Sequence, residues 1–435
     1  MLIWLALSLR VPGRPPCLHQ KTRQKKVTDL GLASHNPTKP QAFSWSLKRN
    51  MKLPPSSQRG STCATRSYPT PKVTLPVDRL AELWPRRFRG ARIGALLHAA
   101  SIDSRLHPTL DTLEAGNGRL WSLTALFGPQ HGLYGHTQEN MIEWQDFVHP
   151  RLGIPVYSLY GATRKPTPSM LQDLDILLVD LQEIGVRYYT YLWTLYLCME
   201  ACQEAQIPVV VCDRPNPLGG VVVEGPILQE AYRSFVGLHP LPIRHGKTIG
   251  ELSVLFRVEA FPECRLVVLP MSGWKRTYWF EDTGIPWVPP SPNIPWPQTA
   301  LVYTGMALLE ATNISEGRGT TRPFEFFGSP WIDPHDLCQA LNAKKLPGVY
   351  FREAYFEPAF HKYAGKLCGG AQLHVLDRHS FKSFDTGIEV INTIRQLYPE
   401  QFQWRLPAYE YEYQKLPIEI LLGGPKEAFF GPDPV

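Results

Sequence analysis

Between residues 93 and 269 the chain repeats one pattern: a short apolar run, a polar or glycine-bearing break, then a stretch with helical spacing. The pattern predicts strands at 93–100, 120–127, 155–159, 175–180, 208–212 and 265–269. Helices are expected at 103–115, just after Thr167-Pro168, at 187–205 and at 248–258. The run 175–180 is almost continuous Ile, Leu and Val, as a strand covered on both faces requires. Strands alternating with helices specify an α/β fold, a Rossmann-like doubly wound parallel sheet. The stretch 287–297 (WVPPSPNIPWP) interrupts this rhythm. Its prolines remove backbone donors, so it reads as an extended connector at a domain boundary. Beyond it come an expected helix (299–311), a polar loop (313–322), a helix (333–343), strands at 348–356 and 371–377, and a helix at 385–397. The organisation expected is a basic tail or mis-assigned start at 1–75, a Rossmann-like catalytic domain at 76–285, and a smaller α+β C-terminal domain at 286–435 that completes a cleft.

Charge changes the picture only once it is divided. The chain has 435 residues, 45 of them Lys or Arg against 39 Asp or Glu. Thirteen basic residues and one acid, Asp29, fall in 1–75, which leaves 32 basic against 38 acidic side chains in the rest. A mildly acidic body argues against a dedicated nucleic-acid binder. The apolar residues 1–9 are too short to span a bilayer, and no later segment is long enough. Eight cysteines contain no CxxC pair; buried free thiols and a cytoplasmic setting are expected. The alternative is export from a different start. Oligomeric state is not legible.

In a parallel α/β sheet, ligands bind outside the carboxyl ends of the strands. Three polar clusters follow predicted strands: Gln130 and His131; Asp180, Gln182, Glu183, Arg187 and Tyr189; Asp213, Arg214 and Asn216. Asp180 either caps a turn or touches a ligand. Arg187 either pairs with Glu183 or holds an anionic group through its planar fork. His245 and Asn293 are further candidates, as is Glu251, whose position also suits helix-dipole stabilisation. Glu316 and Arg318 lie between glycines in the 313–322 loop; Glu316 is either a working carboxylate or an ion-pair partner of Arg318 or Arg322. Trp287 and Trp296 either stack on a ligand or pack at the junction. No GxGxxG, GxSxG or HExxH is present, so no nucleotide cofactor, serine nucleophile or zinc site is expected.

The ordered motifs at 127–132 (FGPQHG), 157–161 (YSLYG), 180–190 (DLQEIGVRYYT), 213–220 (DRPNPLGG), 245–251 (HGKTIGE), 290–295 (PSPNIP) and 312–324 (TNISEGRGTTRPF) resemble the NamZ-type exo-β-N-acetylmuramidases, glycoside hydrolases of peptidoglycan turnover. The resemblance spans about residues 92–422. It implies a cleft between a Rossmann-like and a smaller domain, and release of N-acetylmuramic acid from the non-reducing end of glycan fragments without a cofactor. A peptidoglycan-derived sugar or muropeptide is the implied partner. The resemblance also implies a longer C-terminal helix, so the short ending here is expected to leave apolar surface. One position departs from the pattern. The family's proposed catalytic Glu stands before the motif histidine, where this chain has Gln130. Hydrolysis normally uses two carboxyl groups, and Gln cannot exchange a proton. Glu139 or Glu143 is expected to replace the acid, aided by His131, with Glu316 as the second carboxylate. Arg187 and Arg214 are the candidates for the substrate's anionic group. The rivals are a sugar-binding protein without catalysis and a glycosidase for another sugar.

Overall fold

The computed structural model describes residues 71–432. Its larger sheet contains β1 (Ala91–Leu96), β2 (Trp121–Gly128), β3 (Phe147–Val148), β4 (Pro155–Ser158), β5 (Ile176–Val179), β6 (Val209–Cys212) and β7 (Leu266–Leu269). The order across the sheet is β3-β4-β2-β1-β5-β6-β7. All pairs are parallel except the short edge strand β3, which runs antiparallel to β4. Chain order therefore runs outward in both directions from β1, and the crevice between β1 and β5 is the switch point of a doubly wound sheet. Every residue of β5 and β6 is buried, which accounts for their unbroken apolar sequences. A second, antiparallel sheet has the order β8-β10-β9, from β8 (Phe326–Ser329), β9 (Val349–Phe356) and β10 (Cys368–Val375).

Departures from the expected elements have local causes. The helix expected from residue 103 begins at Thr109. The Asp103 carboxylate accepts from the backbone N–H groups of Arg105 and His107, a turn that competes with helix. The helix expected from Arg187 begins at Tyr191, since residues 186 and 187 are tied to Arg244 and Ile243. β3, β8 and the helix Pro417–Leu422 are too short to show a period and were not expected. Residues 72–75, assigned to the tail by composition, belong to the body. Val73 and Leu75 are buried against Phe280 and Ile285, and Thr74 bridges Ser272. Residues 1–70 lie outside the described residues.

Two features carry groups toward the switch point. Residues 287–296 of the connector form neither helix nor strand, as the prolines dictate, and Pro297 opens the next helix. Its Pro290 carbonyl accepts from Tyr191 Oη (2.7 Å) and His98 Nδ1 (3.3 Å), which pins it over the ends of β1 and β5. Next, the helix Pro297–Met306 tightens into a 3-10 turn, Ala307–Ala311. That helix crosses Ser383–Leu397 so closely that a Cβ on Gly305 would lie 1.8 Å from the Ser383 carbonyl oxygen. Only glycine permits this approach, and the crossing fixes where the 3-10 turn delivers Glu310.

Candidate active site

A cavity of about 30 Å³ opens above the carboxyl ends of the parallel strands. The loop after β2 supplies Gln130 and His131; the segment after β5 supplies Tyr188, Tyr189 and Thr190; the connector supplies Ser291 and Asn293. Residues from the C-terminal part, including Glu310, Arg318, Tyr409 and Glu410, form the facing wall. Of the residues singled out in the sequence, Gln130, His131, Tyr189, Asn293 and Arg318 line this space.

His131 has φ 68°, a left-handed conformation rare for a non-glycine residue and often found at functional positions. Its Nδ1 donates to the Thr137 carbonyl at 2.7 Å, which leaves Nε2 as an acceptor. Burial lowers the imidazole to about 4, against that hydrogen bond, so the ring is neutral near pH 7. Asn293 is turned outward from its prolines to donate to the Gln138 carbonyl at 2.6 Å. Arg318 is buried; its Nη2 lies 2.9 Å from Glu310 and its Nε 3.3 Å from Glu316.

Two carboxyl groups in the cavity were not anticipated. Glu310 accepts from Arg318 Nη2, from Asn140 Nδ2 (2.9 Å) and from Tyr409 Oη (2.7 Å). Its signal in the sequence is a single acid in an apolar helical run, a residue type rarely buried without purpose. Glu410 is 4% exposed and accepts from Tyr160 Oη (2.7 Å) and Gln130 Nε2 (3.2 Å). Burial raises its carboxyl to about 7, against both of those hydrogen bonds. Gln130 is fixed at its other end, where Oε1 accepts from Thr190 Oγ1 at 2.6 Å. The side chain that stands where the family's carboxylate is expected is thus in direct contact with another carboxyl group. Nothing in the run Tyr409-Glu410-Tyr411-Glu412-Tyr413 distinguishes Glu410 from Glu412.

The remaining expected residues are engaged elsewhere. Glu316 is fully buried between Lys362 (2.9 Å), His361 (3.1 Å) and Arg318. Burial works to raise its carboxyl, but the Lys362 charge, the His361 hydrogen bond and the Arg318 charge outweigh it and hold the group far below the usual carboxylate range. The ion pair with Arg318 that stood as its alternative is present, beside a shorter one to Lys362. Glu139 accepts from the His361 backbone N–H, and Glu143, exposed, accepts from Tyr411 Oη; neither lines the cavity. Asp180 and Arg214 form a buried pair, with Arg214 Nε 2.6 Å from Asp180 Oδ1, so Arg214 is not free for a ligand anion. Arg187 is fully buried and donates to four carbonyls, those of Pro226, Leu241, Leu421 and Leu422. It therefore clamps the C-terminal end of Pro417–Leu422, rather than pairing with Glu183 or facing the cavity. Asp213 accepts from the Gly250 N–H, Asn216 bridges Leu218 and Lys247, and Gln182 donates to the carbonyls of Glu183 and Pro215. His245 lies 3.4 Å from Glu183 in the layer beneath. Glu251 completes a capping box with Thr248. Trp287 packs on Phe280, and Trp296 is exposed.

Comparison with known proteins agrees with this architecture. Residues 93–298 match the family model "Exo-beta-N-acetylmuramidase NamZ, N-terminal", and residues 301–428 match its C-terminal counterpart. The chain is 48% identical over 334 residues to the peptidoglycan beta-N-acetylmuramidase NamZ of Bacillus subtilis (strain 168), covering 77% of this chain and 80% of that protein. Crystal structures of two DUF1343 family proteins from Bacteroides fragilis NCTC 9343 are similar. One has a TM-score of 0.73 at 33% identity, covering 83% of this chain and 91% of the other. The second has a TM-score of 0.61 at 27% identity, covering 81% and 88%. With both family models spanning the two sheets and a relative this similar, the chain belongs to the NamZ exo-β-N-acetylmuramidase family.

Proposed function

We propose that this chain is a glycoside hydrolase that releases terminal β-linked N-acetylmuramic acid from the non-reducing end of peptidoglycan fragments. Family membership and the similarity to the Bacillus subtilis enzyme support the reaction class. The observation that carries the reading is the pair of buried carboxyl groups, Glu310 and Glu410, in one cavity at the strand ends. Hydrolysis of a glycoside normally uses two carboxyl groups. A protein that only bound sugar would have no need of a buried, unpaired carboxyl like Glu410, whose burial is costly.

The polar groups at the cavity also suit an amino sugar. Asn140 Oδ1 is a buried acceptor without a partner, available to an acetamido N–H. His131 Nε2 offers a second acceptor for a ring hydroxyl. Among the described residues lining the cavity, Arg318 is the one side chain carrying a fixed positive charge, and it is already shared by Glu310 and Glu316. We place the reaction in the cytoplasm. The six described cysteines are buried free thiols, which suits a reducing compartment, and no helix among the described residues is long and apolar enough to cross a membrane.

The test is a pair of isomeric disaccharides given to the purified full chain. MurNAc–GlcNAc is expected to yield free MurNAc, and GlcNAc–MurNAc to remain intact. Cleavage of neither would contradict the hydrolase reading, and cleavage of GlcNAc–MurNAc alone would contradict the sugar assignment.

A further inference from the structure

We propose that Glu410 is the proton donor of this site and that Gln130 is its positioning residue, so that the carboxyl group absent at position 130 is supplied from the loop 407–412. The inference rests on the hydrolase reading above.

Four observations on geometry carry it. Glu410 lines the cavity, buried, with one oxygen on Tyr160 and the other on Gln130. The Gln130 amide is itself locked by Thr190, so it fixes the direction of the Glu410 carboxyl instead of adapting to it. The loop that brings Glu410 here is held in a costly conformation: Glu410 and Tyr411 have φ 46° and 65°, successive left-handed residues that neither side chain favours. Tyr409 and Glu412 close the loop through reciprocal backbone hydrogen bonds. Finally, among the described residues no Lys, Arg or His lies within ion-pair distance of Glu410, whereas Glu310 pairs with Arg318 and Glu316 with Arg318 and Lys362. An unpaired buried carboxyl keeps its proton; a carboxylate beside a guanidinium does not.

The roles then separate as in other sites where two carboxyl groups meet different environments. As the bond between C1 and the leaving oxygen breaks, the Glu410 proton passes to that oxygen and the electron pair of the bond stays with it. Glu310, ion-paired with Arg318, faces the positive charge that grows at C1. The oxygen of a water molecule bonds to C1, its proton is released to solvent, and Glu410 is reprotonated from solvent. Gln130 takes part only by donating Nε2–H to Glu410, which sets the geometry and favours the anion formed.

The experiment compares wild type, Glu410→Gln and Gln130→Glu on two substrates, MurNAc–GlcNAc and 4-nitrophenyl β-N-acetylmuramide. The aryl leaving group departs without a proton. Glu410→Gln is expected to lower kcat/KM on the disaccharide by about 100-fold or more, and on the aryl glycoside by less than about 10-fold. An unchanged melting curve checks that the variant is folded. Equal losses on both substrates, or no loss on the disaccharide, would overturn the donor role while leaving the hydrolase reading intact. Silence of the wild type on both would overturn that reading and this inference together. Gln130→Glu puts a second carboxyl about 3 Å from the first and is expected to move the alkaline limb of the pH–rate profile upward. A limb that stays in place would overturn the positioning role of Gln130.

Discussion

Glu316 and Arg187 show how the same residue type is spent differently once its neighbours are known. Both invited a ligand role in the sequence, and both are consumed by internal partners. Glu316 ties Lys362, His361 and Arg318 together, so its carboxyl is held below its ordinary 4.5. A carboxyl lowered on folding contributes stability above its unfolded value and loses it as pH falls through that range. Glu316→Gln is therefore expected to destabilise by about 3 kcal/mol near pH 7. The difference from wild type in urea midpoints should narrow as pH drops below about 4.5; a constant difference from pH 7 to 4 would contradict the ion-pair role. Arg187→Met removes the side-chain donor from four buried carbonyls, of which that of Leu241 keeps the Leu228 N–H, and removes a cation from a helix C-terminus. It is expected to cost about 3–5 kcal/mol, and a loss below about 1 kcal/mol in the same titration would sink the clamp. The Arg318 pair was one of two readings open for Glu316, and the carbonyl clamp of Arg187 was not foreseen, because an ion pair and a ligand contact demand the same residues. Only distance decides between them.

At the scale of elements, the segment 138–143 changes meaning most. The acids Glu139 and Glu143 suggested replacement catalysts, yet the segment works as a bracket for the C-terminal parts of the site. The Gln138 carbonyl takes Asn293, Glu139 takes the His361 N–H, Asn140 donates to Glu310, Met141 Sδ accepts from the Glu410 N–H, and Glu143 takes Tyr411 Oη. Arg164 also stacks on the Tyr411 ring at 3.7 Å. Asn140→Ala is expected to reduce kcat about 10-fold or more by releasing Glu310, whereas Glu143→Gln retains near wild-type turnover because an amide oxygen accepts from Tyr411 equally well. Loss of activity in Glu143→Gln comparable to that in Glu410→Gln would return the acid to position 143. The sequence did announce the elements that hold the β-side wall, since each follows a strand. It gave no sign of the 407–412 loop, whose conformation comes from contacts 250 or more residues away in the chain.

For the whole molecule, apolar runs of four residues and their alternation with helices were enough to read the doubly wound sheet. Short edge elements such as β3 and β8 were not readable, for want of a period. What periodicity cannot supply is how the two sheets join. A single apolar cluster runs from Leu80 to Phe430, passing through Ile294, Leu308 and Phe327. Residues 71–432 are accordingly expected to unfold in one transition, with tryptophan fluorescence and far-ultraviolet dichroism coinciding in urea; two separated midpoints would mean that the sheets melt apart. The site lies along this junction and combines groups from both sides of it. A chain with Gln130 is thus expected still to hydrolyse a muramic linkage, using a carboxyl delivered from the other side. The pH dependence of MurNAc release from MurNAc–GlcNAc by the wild-type chain tests it most directly. Turnover is expected, with kcat/KM falling above about pH 7, where Glu410 loses its proton. No release at any pH, or a rate that holds level from pH 6 to 9, would contradict it.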